Sequence, residues 1–118
     1  MNRSSALLGL LAVVVGVCAA AERKAPPWEK RSRNAALHLY RDNCVVCHDI
    51  DSAETRKMAP SLFRFFQNEK TPLTAVEPSE QYFRVKVQFG GDIMPAFQGK
   101  ITDKQLDMIV EFVRSKKQ

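Results

Sequence analysis

The sequence predicts an all-α domain, on three observations. Residues 102–113 open with a capping box, Thr102 with Gln105 three positions on, and continue with Leu106, Ile109, Val110 and Val113 at helical spacing on one face. A second stretch, Ser32 to Asn43, repeats that spacing through Ala36, Leu39, Tyr40 and Asn43. Nowhere does the chain alternate apolar and polar residues convincingly over the length of a strand, and it carries no internal repeat.

Taken in order, the chain begins with Arg3, an apolar run from Ala6 to Val17 and the small residues Ala19, Ala20 and Ala21 before Glu22. This is the pattern of an export signal, with cleavage expected near Ala21. The run falls short of the roughly 20 apolar residues that span a bilayer, so cleavage is favoured over an N-terminal anchor that recruits the flanking alanines. Cys18 follows the bulky Val17 and reads as a residue lost with the signal rather than a lipid attachment site. The predicted organisation is a signal peptide over 1–21, a flexible leader over 22–31 and one folded domain over 32–118. A domain this small commonly leans on a disulfide, a metal or a cofactor to complete its core.

The 118 residues carry 18 basic and 13 acidic side chains. Loss of Arg3 with the signal leaves 17 basic groups and a formal charge of +4. Such a balance solubilises the protein and suits an acidic partner, but it is too slight for nucleic acid. The one basic cluster, Arg23 and Lys24 with Lys30, Arg31 and Arg33, lies largely in the leader.

Pro26-Pro27-Trp28 and the surrounding charges predict that the leader is extended. The first helix, from Ser32, then runs directly into Cys44. Residues 48–60 are polar and aperiodic, a loop, and Ser61-Leu62-Phe63-Arg64-Phe65-Phe66 predicts a short aromatic helix. Pro72 and Pro78 break the chain. Ser79 then caps a helix through Tyr82, Val85 and Phe89, which Gly90-Gly91 ends. The last helix follows Thr102, with Ile101 placed to staple onto Leu106.

The chemistry is concentrated in Cys44-Val45-Val46-Cys47-His48, which matches the C-x-x-C-H attachment pattern of c-type haem. Two thiols on one helical turn can each add across a haem vinyl group, and the adjacent imidazole is then held beneath the iron. Three other readings compete. A redox dithiol wants a strand–helix context that this sequence lacks. A structural zinc site wants four ligands, whereas the mature chain offers two cysteines and two histidines, with His38 only six residues before Cys44. Five residues also match by chance, against which export, chain length and helical pattern each favour haem independently.

A sixth ligand decides between an electron carrier and a site open to small molecules. Met94 is the first candidate, in Gly90-Gly91-Asp92-Ile93-Met94-Pro95-Ala96-Phe97, where the glycines let the backbone turn and Pro95 stiffens it. Met58 competes, but it lies only ten residues after His48, a short reach to the opposite haem face. Met108 is expected to pack within the last helix, and His38 to be an ordinary, partly exposed residue. Leu62, Phe63, Phe66, Phe89, Ile93 and Phe97 are the candidate apolar walls.

From Asn34 to Lys116 the chain resembles a class I monohaem cytochrome c of the bacterial electron-transfer type. The stretches that carry the resemblance are Ala36-Leu37-His38-Leu39-Tyr40, the C-x-x-C-H motif, Ala59-Pro60-Ser61-Leu62, and Met94-Pro95-Ala96-Phe97 leading into Ile101-Thr102-Asp103-Lys104-Gln105-Leu106. Asp49, Ala36 and Ala59 depart from it, each standing where glycine is frequent.

The resemblance implies a small cytochrome c-like fold, three to five helices wrapped around one covalent haem c. It implies that Ala36 and Tyr40 pack against the face carrying Ile109, Val110 and Val113. It also implies that the Pro60 carbonyl accepts the other imidazole N–H of His48, which fixes the ring. The function expected is that of a single-electron carrier, a monomer in the periplasm without a stable membrane span once the signal is cleaved, or membrane-tethered if the signal stays. Its partners are redox proteins: a dehydrogenase, an oxidase or a reductase. The alternative is a haem enzyme or gas sensor with a labile sixth position, for which only His38 is left to act as a distal acid–base group.

Overall fold

The computed structural model describes residues 26–116, so the signal segment, Cys18 and the first four leader residues lie outside it. Three helices follow in chain order, α1 (Pro27–Asn43), α2 (Glu80–Phe89) and α3 (Asp103–Arg114), with one 3-10 turn at Phe65–Gln67 between α1 and α2. Among the described residues there is no strand, only an isolated bridge between Gln98 and Ile101. None of these helices is long and apolar enough to cross a membrane.

Helix α1 begins earlier than its apolar period suggests, so residues 27–31, expected within the extended leader, are helical. The reason is local. Pro27 occupies N1, where the N–H it lacks has no helical partner to lose. The amides of Glu29 and Lys30 donate to the Pro26 carbonyl at 3.0 and 3.4 Å, and Arg33 pairs with Glu29 one turn back at 3.3 Å.

The core gathers Tyr40, Ile50, Leu62, Phe65, Phe83, Val87, Leu106, Ile109, Val110 and Val113. Helices α1 and α3 make the most extensive contact between elements. Ala36 and Tyr40 are buried on α1, and Leu106, Ile109, Val110 and Val113 on α3, which is the packing the resemblance implies. At roughly 1.5–3 kcal/mol for each large apolar side chain removed from water, this crossing is the main source of cohesion.

Helix α2 corrects the expected face. Phe83 and Val87 are the residues it buries, whereas Val85 and Phe89 are exposed and Tyr82 is half-buried. Both apolar pairs are four residues apart, so spacing alone does not choose between them. Partners do. Phe83 packs on Phe65 and Phe66 with ring centroids 5.5 and 5.7 Å away. The helix expected over 61–66 contracts to the turn at Phe65–Gln67, because Arg64 adopts a left-handed φ of 53° that interrupts a helical path.

The caps hold where they were read. Ser79 Oγ accepts from the Tyr82 amide at 3.1 Å. At α3 the Gln105 amide donates to Thr102 Oγ1 at 3.3 Å and the Thr102 amide donates to Gln105 Oε1 at 2.9 Å, completing the capping box. Ile101 packs against the core beside this cap.

Candidate functional site

The Cys44–His48 segment is a helical turn that continues α1. The Cys44 and Val45 amides donate to the Tyr40 carbonyl at 2.8 and 3.1 Å, and the Cys47 and His48 amides donate to the Cys44 carbonyl at 3.1 and 2.9 Å. Both thiols therefore ride on one turn whose root is the buried Tyr40, and both are free and half-buried. Burial pushes the Cys44 thiol up to about 11, with the neighbouring Cys47 adding to the rise. A redox dithiol depends on the opposite shift, toward a thiolate near neutral pH.

His48 is oriented from two sides. Its Nδ1 lies 2.7 Å from the Pro60 carbonyl oxygen, and because a carbonyl only accepts, Nδ1 carries the hydrogen. With Nδ1 as the donor, Nε2 is the nitrogen left to a metal. On the backbone, the Tyr40 hydroxyl donates to the His48 carbonyl at 2.6 Å. Burial first, and then the nearby acidic groups of Cys44, Asp49 and Asp51, raise the Tyr40 phenol above its ordinary range, so it stays a donor.

The loop between Asp49 and Ala59 is closed by three bonds. The Ala59 amide donates to the Cys47 carbonyl at 3.0 Å, the Leu62 amide to the Asp49 carbonyl at 2.7 Å, and the Ser61 hydroxyl to the Ser52 carbonyl at 2.5 Å. Asp49 itself is half-buried, and one of its carboxylate oxygens has no hydrogen-bond partner.

Met94 is half-buried and packs against the core, whereas Met58 is 74 % exposed. The Met94 segment is shaped by Gly90, which has a φ of 72° and lies so close that a Cβ there would run into the Met94 carbonyl oxygen. The Gly91 amide donates to that same carbonyl at 3.0 Å. After Pro95, the Phe97 amide donates to the Val87 carbonyl at 3.0 Å, tying the segment back to α2.

Of the candidate apolar walls, Leu62 is buried and Phe63, Phe66 and Phe97 are half-buried, while Phe89 and Ile93 are 60 % and 70 % exposed. His38 is exposed and Met108 half-buried, each as expected. Among the described residues no group of three or more histidine, cysteine, aspartate or glutamate side chains gathers as a metal site. Sequence reasoning missed the Tyr40 hydroxyl as a site group. Its position four residues before Cys44, one helical turn, is the signal that points to it.

Residues 32–113 match the family model described as cytochrome c oxidase, cbb3-type, subunit III. The chain belongs to this family. It is a c-type cytochrome of all-α fold, whose domain binds haem c and serves haem-based electron transfer. No curated protein matches the chain.

The residues of this cytochrome fit its cofactor. Paired thiols on one turn, an imidazole held through Nδ1 so that Nε2 is left for a metal, a half-buried thioether and exposed apolar side chains at Phe89 and Ile93 together suit a flat apolar macrocycle with a central metal. No second set of such donors accompanies them among the described residues.

Proposed function

We propose that this cytochrome is an exported single-electron carrier, not an enzyme, holding one haem c through thioether bonds to Cys44 and Cys47 with His48 and Met94 as axial ligands. The observation that carries the reading is the hydrogen bond of His48 Nδ1 to the Pro60 carbonyl, 2.7 Å long, on a turn that presents both thiols. When bound, haem c supplies a one-electron Fe(III)/Fe(II) couple.

The chain's residues do the rest. The Pro60 carbonyl holds the His48 ring in one tautomer and strengthens it as a ligand. Gly90 and Pro95 hold the Met94 segment, and a thioether ligand favours the reduced metal relative to a second histidine. Leu62, Phe63, Phe66 and Phe97 exclude water, which keeps reorganisation on electron transfer small.

We read residues 1–21 as a cleaved signal peptide, which would export the domain to the periplasm, or leave it tethered at the membrane surface where the signal stays; we take the domain to act as a monomer. The partners are redox proteins. Because the family's description names an oxidase, a terminal oxidase is the first to test, with a dehydrogenase or reductase as the others.

The test is expression of the full chain with active haem-ligation machinery. The expected product has the mass of the polypeptide plus one haem and a thioether-linked haem spectrum; a colourless product with the mass of bare polypeptide overturns the proposal. Replacing Cys44 and Cys47 together by serine should abolish attachment. Met94→Ala should remove the sulfur–iron charge-transfer band and lower the potential by more than about 0.1 V, since the axial ligand is a principal lever. An unchanged spectrum assigns the sixth position elsewhere, and ready binding of carbon monoxide by the reduced wild-type protein at neutral pH favours an enzyme or sensor.

A further inference from the structure

The haem-attachment turn is braced from behind by a side chain that neither the motif nor the family pattern assigns. The Lys57 ammonium donates to the Val45 carbonyl, in the middle of the turn, and to the His48 carbonyl at 3.3 Å. It also pairs with Asp49 Oδ1 at 3.4 Å. The three acceptors lie within five consecutive residues that end one position beyond the iron-binding histidine. Both members of the pair are shielded, with side chains 31 % and 21 % exposed.

The geometry has a plain cause. A helical turn ends in carbonyls that have lost their amide partners and carry the negative end of the peptide dipole. A cation at that end satisfies them and is attracted by the dipole. Here the chain leaves the turn at Asp49, and Lys57 reaches back across the loop to take the orphaned carbonyls of Val45 and His48. The Tyr40 hydroxyl donates to the His48 carbonyl as well, so the residue that grips the metal has its own carbonyl held by a phenol and an ammonium together.

We infer that Lys57 is a positioning residue that sets the reduction potential of this cytochrome from the His48 side, with Asp49 as its opposing charge. This deepens the electron-carrier reading and rests on it. The ferric centre carries one more positive charge than the ferrous, so a fixed cation near the ligand turn favours the reduced form and a fixed anion the oxidised one. The partial burial of Lys57 and Asp49 keeps solvent from screening either charge fully. The bonds to Val45 and His48 add rigidity, holding the cation at one distance from the ligand instead of letting it range through solvent.

The experiment uses the full-length, haem-loaded protein and redox titration at fixed pH and ionic strength. A wild-type protein with attached haem and a reversible one-electron couple satisfies the underlying reading first, and its absence would be a failure of that reading alone. Lys57→Met keeps the aliphatic stem and removes the charge, and should lower the Fe(II)/Fe(III) ratio at a given solution potential by about tenfold, a drop of about 59 mV for one electron. Lys57→Arg should restore the wild-type potential. Asp49→Asn should shift the couple in the opposite direction. A Lys57→Met protein that melts at lower temperature but titrates at the wild-type potential makes Lys57 a structural brace only and overturns the inference. Should Lys57→Met fail to load haem, Asp49→Asn decides, a raised potential supporting the inference and an unchanged one sinking it.

Discussion

Helix α3 packs against both other helices and holds them by different physics. Against α1 the contact is dry: Tyr40 shares the core with Ile109, Val110 and Val113, Ala36 is buried one turn earlier, and the ring of Phe112 lies 5.6 Å from that of Tyr40. Against α2 the helix adds a polar clasp. Glu80 accepts from Arg84 and Arg114, each at 2.8 Å, while Arg84 also reaches Asp107 at 2.6 Å and Arg114 reaches Glu111 at 3.0 Å. The first contact carries the attachment turn and the second the segment that presents Met94. Attachment is therefore seated on the strongest packing in the domain, and the proposed sixth ligand on a glycine turn and a set of exposed charges.

If that division is real, cutting into the dry contact should unfold the domain as a whole. Ile109→Ala removes a fully buried side chain from the centre of the α1–α3 crossing. The expected loss is about 2–5 kcal/mol, the range for large-to-alanine changes in close-packed cores. Denaturant melts of the haem-loaded protein measure it, and a loss under about 1 kcal/mol would mean that the crossing does not dominate stability. Below the transition the sulfur–iron band should be unchanged, because Ile109 does not shape the Met94 segment.

The other side should fail locally. Gly90→Ala places a Cβ against the Met94 carbonyl and forces a left-handed φ on a residue that resists it. The strain is on the order of 1–3 kcal/mol. The segment yields before the core, so the sulfur–iron band should weaken or vanish while the α1–α3 unit still melts cooperatively and the haem stays attached. A variant with the wild-type band would show that Met94 is placed by something other than this turn.

The same contrast explains what the sequence disclosed. The α3 cap and apolar face were legible because Thr102, Gln105 and the 106–113 spacing are local facts, as were the Cys44–His48 motif and Ser79. The buried face of α2 was not. Phe83/Val87 and Val85/Phe89 are equivalent at helical spacing, and only the aromatic pair Phe65 and Phe66, far away in sequence, makes the first pair the inward one. The start of α1 was hidden for a different reason: Pro26-Pro27 looks like a turn until Pro27 is placed at N1. Lys57 was illegible because its acceptors are backbone carbonyls, which leave no trace in the residue string.

The clasp between α2 and α3 offers the mildest perturbation, and its sign with pH is set. Hydrogen bonds from Arg114 first and then Arg84 lower the Glu80 carboxyl below its ordinary 4.5. A carboxylate whose folded pKa is depressed stabilises the fold above its unfolded pKa, and that contribution is lost as pH falls through the folded value. Glu80→Gln should therefore lower the melting temperature slightly at pH 7, and the gap between variant and wild type should close on titration below 4.5 toward the folded value. Because the Glu80 side chain is 41 % exposed, added salt should shrink the gap at neutral pH. A gap that persists in acid would trace to the packing of the Glu80 side chain instead of its charge, and α2 would then be held to α3 by the same dry physics as α1.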